Sequence, residues 1–158
     1  MNVSLMSAGV KAMEIKLAKT RKDLRACVAI WMEASLAGHP FIPARFWRAH
    51  QNAMLNEYLP ESRVHMVLRD GIPIAFAAMR DAMLAALFCL PEYWGTGTAS
   101  ELLRSLQRKY SEIILAVYAK NSRALGFYTK HGFAATGSSQ CPLTGEKETL
   151  MLWQAVFS

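Results

Sequence analysis

The sequence predicts a mixed α/β fold in which helices flank one β-sheet. Strand-like and helix-like hydrophobic patterns alternate along the chain, in the order strand, two helices, three strands, helix, strand, helix, two strands. One apolar run, residues 83–90, leads into a loop of glycine and threonine and then into a helix. The 158 residues, of which 53% are hydrophobic, are enough for one core.

The first residues are expected to precede the folded domain. Residues 1–13 are weakly apolar, but they lack a basic start, a continuous apolar stretch and a small-residue cleavage site. We therefore expect a disordered lead-in at residues 1–13 rather than a secretory signal. Residues 14–158 are expected to form a single domain that opens with a strand at residues 14–19.

Two helices follow the first strand. Thr20 and Asp23 have the spacing of an N-terminal capping box, and this helix should end near Gly38, ahead of Pro40. One face of the helix is apolar: Leu24, Cys27, Val28 and Trp31. A second helix is predicted from Pro43 to about residue 59.

The middle of the chain predicts three strands. Residues 63–68 and 72–79 flank Asp70-Gly71, which is typical of a hairpin turn. Residues 83–90 are apolar almost throughout, which favours a strand buried on both faces.

The remaining elements alternate between helices and strands. The pattern predicts a helix with an apolar face, a strand at 113–118, a helix at 121–131 that Gly132 ends, and strands at 133–136 and 150–156. The apolar helix face consists of Leu102, Leu103, Leu106 and Tyr110. Residues 138–147 are polar and predict a loop.

Composition limits the class of protein. No apolar run reaches the 18 or so residues of a membrane span. The three cysteines, Cys27, Cys89 and Cys141, have no metal-site spacing and are expected to be free thiols in a cytoplasmic protein. A net charge of +6 favours an anionic ligand, either a phosphate-bearing cofactor or a nucleic acid. Because the basic residues are scattered, we do not expect nucleic acid as a partner.

Residues 87–103 combine a strand, a glycine-containing loop and a helix start. Gly95 and Gly97 would allow close approach of a ligand to the backbone, and the helix N-terminus offers unsatisfied N–H groups to an anion. The segment lacks a Walker A lysine, and Ser100 stands where a dinucleotide fingerprint has its third glycine. Taken alone, the segment is a pyrophosphate cradle or an ordinary glycine turn.

Residues 115–133 form a second informative segment. Taken singly, Asn121 is most simply a helix cap, Phe127 a core residue and Tyr128 a packing aromatic. Gly126, in the middle of the predicted helix, suggests close packing against a neighbour.

Together the two segments resemble the acetyl-CoA-binding motifs of the GCN5-related N-acetyltransferase (GNAT) superfamily. The family pattern Arg/Gln-x-x-Gly-x-Gly/Ala falls on residues 94–99, with Trp94 in place of Arg or Gln. The pattern Asn-x-x-Ala-x-x-Phe-Tyr-x-x-x-Gly-Phe falls on residues 121–133 without a gap. The resemblance implies a mostly antiparallel sheet with one splayed parallel strand pair, and acetyl-CoA as co-substrate without a metal.

The resemblance also implies roles for individual residues. The backbone of β-strand residues would hold the pantetheine arm and the thioester: Leu87, Phe88 and Cys89. The pyrophosphate would lie against Trp94, Gly95, Thr96, Gly97, Thr98 and Ala99. Asn121 would hydrogen-bond the pantetheine, and Tyr128 would bind at the thioester and protonate the leaving thiolate. Cys89 is expected to pack rather than to act as a nucleophile.

The general base stays open. Many family members use a carboxylate on the central strand, and residues 83–90 contain none. The candidates are Glu33, His39, His65 and Asp81, and no one of them is assigned.

The acceptor site is predicted from the helices near the N-terminus. Residues 31–47 resemble those of family members that acetylate protein lysines, which implies that His39, Phe41 and Met83 line the acceptor pocket. An equally simple interpretation is a helix–loop–helix packed by its aromatic residues. The leading function is therefore lysine acetylation by a monomer or homodimer, and three alternatives remain: acetylation of a small amine, acetylation of aminoacyl-tRNA by a toxin, and a non-catalytic acyl-CoA-binding module.

Overall fold

The computed structural model describes residues 13–156; residues 1–12 and 157–158, which include nearly all of the predicted lead-in, lie outside the described part. Its strands are β1 (Met13–Leu17), β2 (Arg63–Arg69), β3 (Ile72–Arg80), β4 (Met83–Cys89), β5 (Glu112–Tyr118), β6 (Ala134–Gln140) and β7 (Lys147–Gln154). Its α-helices are α1 (Arg21–Gly38), α2 (Ala44–Ala49), α3 (Gln51–Ala53), α4 (Thr98–Gln107) and α5 (Ser122–Lys130).

Within these residues the strands form one seven-stranded sheet in the order β1-β2-β3-β4-β5-β7-β6. Adjacent strands are antiparallel except β4 and β5. These two parallel strands pair only at Met83 and Ile114, near their amino ends, and then separate. The mixed sheet with a splayed parallel pair, which the resemblance implied, is confirmed.

A β-bulge in β4 contributes to its separation from β5. Ala78 of β3 pairs with Ala86, whereas the next residue, Met79, pairs with Leu84, so Ala85 is an extra residue in β4. An extra residue bends a strand and increases its twist. The bend directs the carboxyl half of β4 away from β5.

Hydrophobic clusters cover both faces of the sheet. Helices α4 and α5 pack on one face, where Leu102, Leu103, Leu106 and Phe133 are buried. Helix α1 and the segment after it pack on the other face, where Trp31, Trp47 and Phe76 are buried. The predicted capping box is present: the Thr20 side chain accepts from Asp23 N, and the Asp23 carboxylate accepts from Thr20 N.

Several details differ from the sequence predictions. Strand β4 is not buried on both faces, because the widening gap beside it leaves Ala85 exposed and its carboxyl half only partly covered. Residues 138–140 and 147 of the predicted loop 138–147 belong to β6 and β7, since polar residues can continue a ladder on an exposed edge strand. Gly126 packs against nothing: a Cβ there would meet no atom within 4 Å.

The helical region after Pro43 is broken rather than continuous. It comprises α2, α3 and a π-helical turn at Met54–Tyr58. All three cysteines are free, as predicted, and each is buried. In residues 13–156 no helix has both the length and the apolar character needed to cross a membrane.

Candidate active site

A cavity of about 670 Å³ opens where β4 and β5 separate. It is lined by the carboxyl halves of these strands, the start of α4, one face of α5 and the end of α1. The volume lies within the usual range for small-ligand sites in proteins. The cavity thus reaches both faces of the sheet through the gap between two parallel strands.

One end of the cavity is the predicted cradle. Gly95 and Gly97 have φ of +78° and +89°, the left-handed region that favours glycine. Helix α4 begins directly after Gly97 and has no side-chain cap, so the N–H groups of its first turn are free to bind a ligand. Ala99 and Ser100 of that turn line the cavity, and the hydroxyls of Thr96 and Thr98 lie 2.9 Å apart and brace the loop. The arrangement is suited to a phosphate.

Trp94 is positioned by two contacts. Its Nε1 donates to the carbonyl oxygen of Cys89 at 2.9 Å, and the guanidinium carbon of Arg123 lies 3.5 Å from its ring centroid. Arg123 forms no ion pair with any residue in the described part of the chain, and it lines the cavity. The sequence analysis missed Arg123, because its position in the motif is a variable one and its stacking on Trp94 depends on the fold.

The edge of β4 offers backbone groups to the gap. Leu90 N donates to Ile74 O of β3 at 2.9 Å. In an antiparallel ladder the backbone hydrogen-bonding groups of successive residues point alternately to either side. The N–H and C=O of Phe88 therefore point towards β3, whereas those of Leu87 and Cys89 point towards the gap. The Cys89 carbonyl is already engaged by Trp94. Burial raises the pKa of the Cys89 thiol to about 11, which keeps it protonated and unsuited to act as a nucleophile.

Tyr128 reaches the cavity from α5. Its ring packs against Phe127 and Phe133, with centroid separations of 5.3 and 5.4 Å. Burial raises the pKa of its phenol, so the hydroxyl is protonated at neutral pH. That hydroxyl makes no hydrogen bond with a residue of the described segment and is available to a ligand.

Asn121 and His39 are linked across the cavity. Asn121 Oδ1 accepts from Ala124 N at 3.1 Å, as a helix cap, and its Nδ2 lies 3.2 Å from His39 Nε2. An amide nitrogen donates, so His39 Nε2 accepts and the ring hydrogen is on Nδ1, which has no partner. Burial lowers the pKa of His39 to about 4, so the ring is neutral and a weak base.

Aromatic rings surround His39 on the α1 side of the gap. The rings of Phe41, Trp47 and Tyr118 have centroids 5.7, 5.3 and 5.2 Å from that of His39. Glu148 lies on β7 directly opposite Tyr118 and lines the same cavity. Glu148 is not among the residues predicted from the sequence, because it lies between the predicted loop 138–147 and the predicted strand 150–156 and belongs to no motif.

These features match a known family. The model for the acetyltransferase (GNAT) domain matches residues 26–145. The chain belongs to the GNAT family.

This GNAT acetyltransferase is similar in sequence to proteins named as lysine acetyltransferases. It is 30% identical to the peptidyl-lysine N-acetyltransferase YiaC of Escherichia coli over 137 residues, or 86% of this chain and 94% of that protein. It is 29% identical over 125 residues to the peptidyl-lysine N-acetyltransferase YjaB of E. coli, which covers 78% of this chain and 84% of that protein. The solution structure of apo-form YjaB aligns with a TM-score of 0.81 at 24% identity, covering 92% of this chain and 99% of that one.

A second solved structure shows the same fold with a ligand. The PaiA N-acetyltransferase of Thermoplasma acidophilum, crystallised in complex with coenzyme A, aligns with a TM-score of 0.77 at 18% identity, covering 91% of this chain and 99% of that one. GNAT acetyltransferases use acetyl-CoA as acetyl donor. In the described part of this chain no three His, Cys, Asp or Glu side chains are grouped to hold a metal ion.

Several residues considered from the sequence lie outside the GNAT cavity. Glu33 is exposed on α1, and Asp81 is in the β3–β4 turn at the far end of the strands. His65 is buried in β2, with Nε2 unpaired, and does not line the cavity. Met83 is 39% exposed where β4 still pairs with β5, away from the cavity, and Phe41 adjoins the cavity only through His39 and Tyr118. Of the four candidate bases, only His39 lines the cavity.

Proposed function

We propose that this enzyme transfers the acetyl group of acetyl-CoA to the ε-amino group of lysine in proteins. The observation that carries the proposal is the continuity of the cavity. It runs from the anion cradle, through the gap beside Tyr128, to a pocket with aromatic walls, in which residues 13–156 place one carboxylate, Glu148. Such a pocket suits an aliphatic stem that ends in an ammonium group. The identity with YiaC and YjaB, both named peptidyl-lysine N-acetyltransferases, supports the same acceptor.

The donor binds along the α4–β4 side. The first-turn N–H groups of α4 and the Arg123 guanidinium would contact the pyrophosphate, since an unpaired cation beside a helix N-terminus favours a dianion. The free backbone edge at Leu87 and the second N–H of the Asn121 amide would orient the pantetheine arm. Trp94 would act by holding Arg123 in place rather than by contacting phosphate itself.

The chemistry is a direct transfer. Acetyl-CoA supplies an activated thioester carbonyl. The neutral amine of the acceptor forms a C–N bond to that carbon, the C–S bond breaks, and the sulfur takes the proton of the Tyr128 hydroxyl, which solvent then restores. Burial keeps the pKa of Tyr128 high, so the proton is present when the thiolate leaves. No covalent intermediate on the enzyme is required, in agreement with the protonated state of the Cys89 thiol.

The acceptor class is tested with a panel. Blocked peptides that carry one lysine, polyamines, free amino acids and aminoacyl-tRNA are each incubated with the purified protein and acetyl-CoA, and the products are identified by mass spectrometry. The proposal predicts acetyl-lysine in the peptides at the highest kcat/KM. A clear preference for a polyamine or an amino acid would instead assign a small-amine enzyme, and a preference for aminoacyl-tRNA would assign the toxin class. Binding of acetyl-CoA without any product would assign a non-catalytic module.

A further inference from the structure

We propose that Glu148 binds the ammonium group of the acceptor and removes its proton before attack, beside the aromatic ring of Tyr118, which lines the same cavity. The inference deepens the proposed function and rests on it, because it assigns the base of the same reaction. It assigns the acidic group of the acceptor pocket a role and makes a cationic amine the ligand of that pocket.

The register of the sheet places Glu148 in the pocket. Tyr118 of β5 and Glu148 of β7 are Cα partners, so their side chains leave the sheet on the same face. The Tyr118 ring meets His39 and Phe41 on that face, at centroid distances of 5.2 and 5.8 Å. On the other side, the partner of Glu148 in β6 is Ser139, whose short side chain leaves the carboxylate uncovered. Glu148 therefore lies at the wall of the cavity rather than on the outer surface.

The carboxylate of Glu148 has no partner. It makes no hydrogen bond or ion pair with any residue of the segment 13–156, whereas the adjacent acid, Glu146, pairs with Lys120 Nζ at 3.2 Å. The side chain is partly buried, and burial raises the pKa of its carboxyl group. A partly desolvated, unpaired carboxylate favours a cation, and a raised pKa brings it closer to that of an effective base at neutral pH.

Other groups are less suited to the role. Among the residues of the described part of the chain that line the cavity, Glu148 is the only acidic one, and the central strand β4 carries none. His39 is neutral, and its Nε2 lone pair is engaged by Asn121. Both its position in the cavity and its negative charge therefore favour Glu148 as the group that removes the proton of the acceptor ammonium.

The surroundings of Glu148 contain few groups that titrate near neutral pH. The phenol of Tyr118 on β5 and the thiol of Cys141 are 3.7 Å apart, and burial raises the pKa of Tyr118, so that phenol stays neutral. The titratable and charged groups around it include Tyr118, His39 and Cys141, the cations Lys120, Lys147 and Arg123, and the acid Glu146. Lys120 and Glu146 form an ion pair. Although burial acts in the opposite direction, hydrogen bonds with Thr144 lower the pKa of the Cys141 thiol, so Cys141 is a second group that can titrate towards neutral pH. The part of the pH dependence that Glu148→Gln removes is therefore the part assigned to Glu148.

The proton balance is simple. One N–H proton of the acceptor ammonium passes to a Glu148 carboxylate oxygen, the freed lone pair forms the C–N bond, and the proton leaves to solvent through the open side of the cavity. The tetrahedral nitrogen loses its second proton after attack. The products are an acetamide, the CoA thiol and a net proton released.

The test compares Glu148→Gln with Glu146→Gln, a matched change two residues away that faces Lys120 instead of the cavity. A blocked peptide with one lysine is the acceptor, and kcat/KM is measured from pH 6 to 10 together with the affinity for acetyl-CoA. We expect Glu148→Gln to lower kcat/KM about 100-fold at pH 7 and to recover as the acceptor amine itself deprotonates at high pH. Acetyl-CoA affinity and the Glu146→Gln variant should remain at wild-type values.

A second readout keeps the inference separate from the choice of acceptor. Butylammonium binding is measured by calorimetry on the wild type and on both variants. If the peptide is not acetylated but butylammonium binds the wild type and not Glu148→Gln, the lysine-peptide proposal fails and the ammonium site stands. An unchanged pH profile in an active Glu148→Gln, or equal butylammonium affinity in Glu148→Gln and the wild type, overturns the inference.

Discussion

At the scale of single residues, the departure from the family pattern at position 94 has a structural counterpart. Family members carry Arg or Gln there, and this chain carries Trp94, on which the Arg123 guanidinium stacks at 3.5 Å. The pair lies beside Gly38 at the end of α1, where a Cβ would be in ordinary van der Waals contact with Arg123 Nη2, at 3.6 Å. We infer that the cation beside the cradle is supplied by α5 instead of by the loop.

Removal of the Arg123 guanidinium should weaken the binding of acetyl-CoA only by the loss of its contact with the phosphates. We expect Arg123→Ala to raise the Kd for acetyl-CoA about tenfold, the usual scale for one charge-assisted contact. Acetyl-pantetheine, which lacks the pyrophosphate, should bind the variant and the wild type equally in calorimetry. Arg80→Ala, which removes an arginine paired with Glu61 away from the cavity, is the control. Equal losses for both ligands would show that Arg123 acts on the fold and not on phosphate.

The motif residues were predictable and the pocket residues were not. Asn121 and Tyr128 follow from a gapless pattern on one helix, where local spacing alone fixes their relative positions. Arg123 and Glu148 depend on contacts across the chain: a ring contributed by the loop before α4, and the register of β7 against β5. Single-sequence periodicity carries no information on either contact.

At the scale of elements, two glycines beside the site have opposite requirements. Gly97 initiates α4 at φ +89°, where an L-residue is strained, and a Cβ there would meet no atom within 4 Å. Gly126 lies within α5, has no positive φ, and would also have an unobstructed Cβ. Backbone conformation, and not space, therefore distinguishes them.

The matched alanine substitutions should change stability in opposite directions. Gly97→Ala should lower the free energy of unfolding by about 1 kcal/mol and weaken acetyl-CoA binding, because the first turn of α4 must shift. Gly126→Ala should raise it by about 0.5–1 kcal/mol through helix propensity. Urea unfolding of the two variants measures both effects. If Gly126→Ala lowers the free energy of unfolding instead, a neighbour must pack closely against Gly126, as the sequence had suggested.

The elements themselves were predictable to different extents. The Thr20 cap, the Asp70-Gly71 hairpin and the Gly132 stop have local signals, and each forms where the sequence placed it. The splay of β4 has no local signal, since an apolar run looks the same whether it is buried by protein or lines a ligand cavity. The extra length of β6 and β7 arises from pairing on an exposed edge, which polarity does not reveal.

At the scale of the whole molecule, two buried histidines link folding to pH. Burial lowers the pKa values of His39 and His65 to about 4, below their ordinary value of about 6.5. Between these values the unfolded chain binds more protons than the folded chain, so stability is present above pH 6.5 and is lost as the pH falls towards 4. Each histidine should remove about 2 kcal/mol at pH 5 relative to pH 8.

His65 tests this linkage without touching the cavity. His65→Leu places an apolar side chain at the same buried position of β2 and removes the titrating ring. In the wild type, burial and the positive charges of Lys109 and Arg63 together lower the pKa of that ring. The free energy of unfolding should then fall less steeply between pH 8 and pH 5 than in the wild type. An identical pH slope in both proteins would show that His65 is not the titrating group.

The central claim is acetyl transfer to lysine with Tyr128 as the proton donor, and one comparison tests it most directly. The rate of acetyl-lysine formation in a blocked peptide is measured for the wild type and Tyr128→Phe, with acetyl-CoA affinity determined in parallel and Tyr110→Phe, a change outside the cavity, as the matched control. The account predicts a fall in kcat of about 100-fold for Tyr128→Phe with unchanged affinity, and wild-type behaviour for Tyr110→Phe. Equal kcat in Tyr128→Phe and the wild type would contradict it.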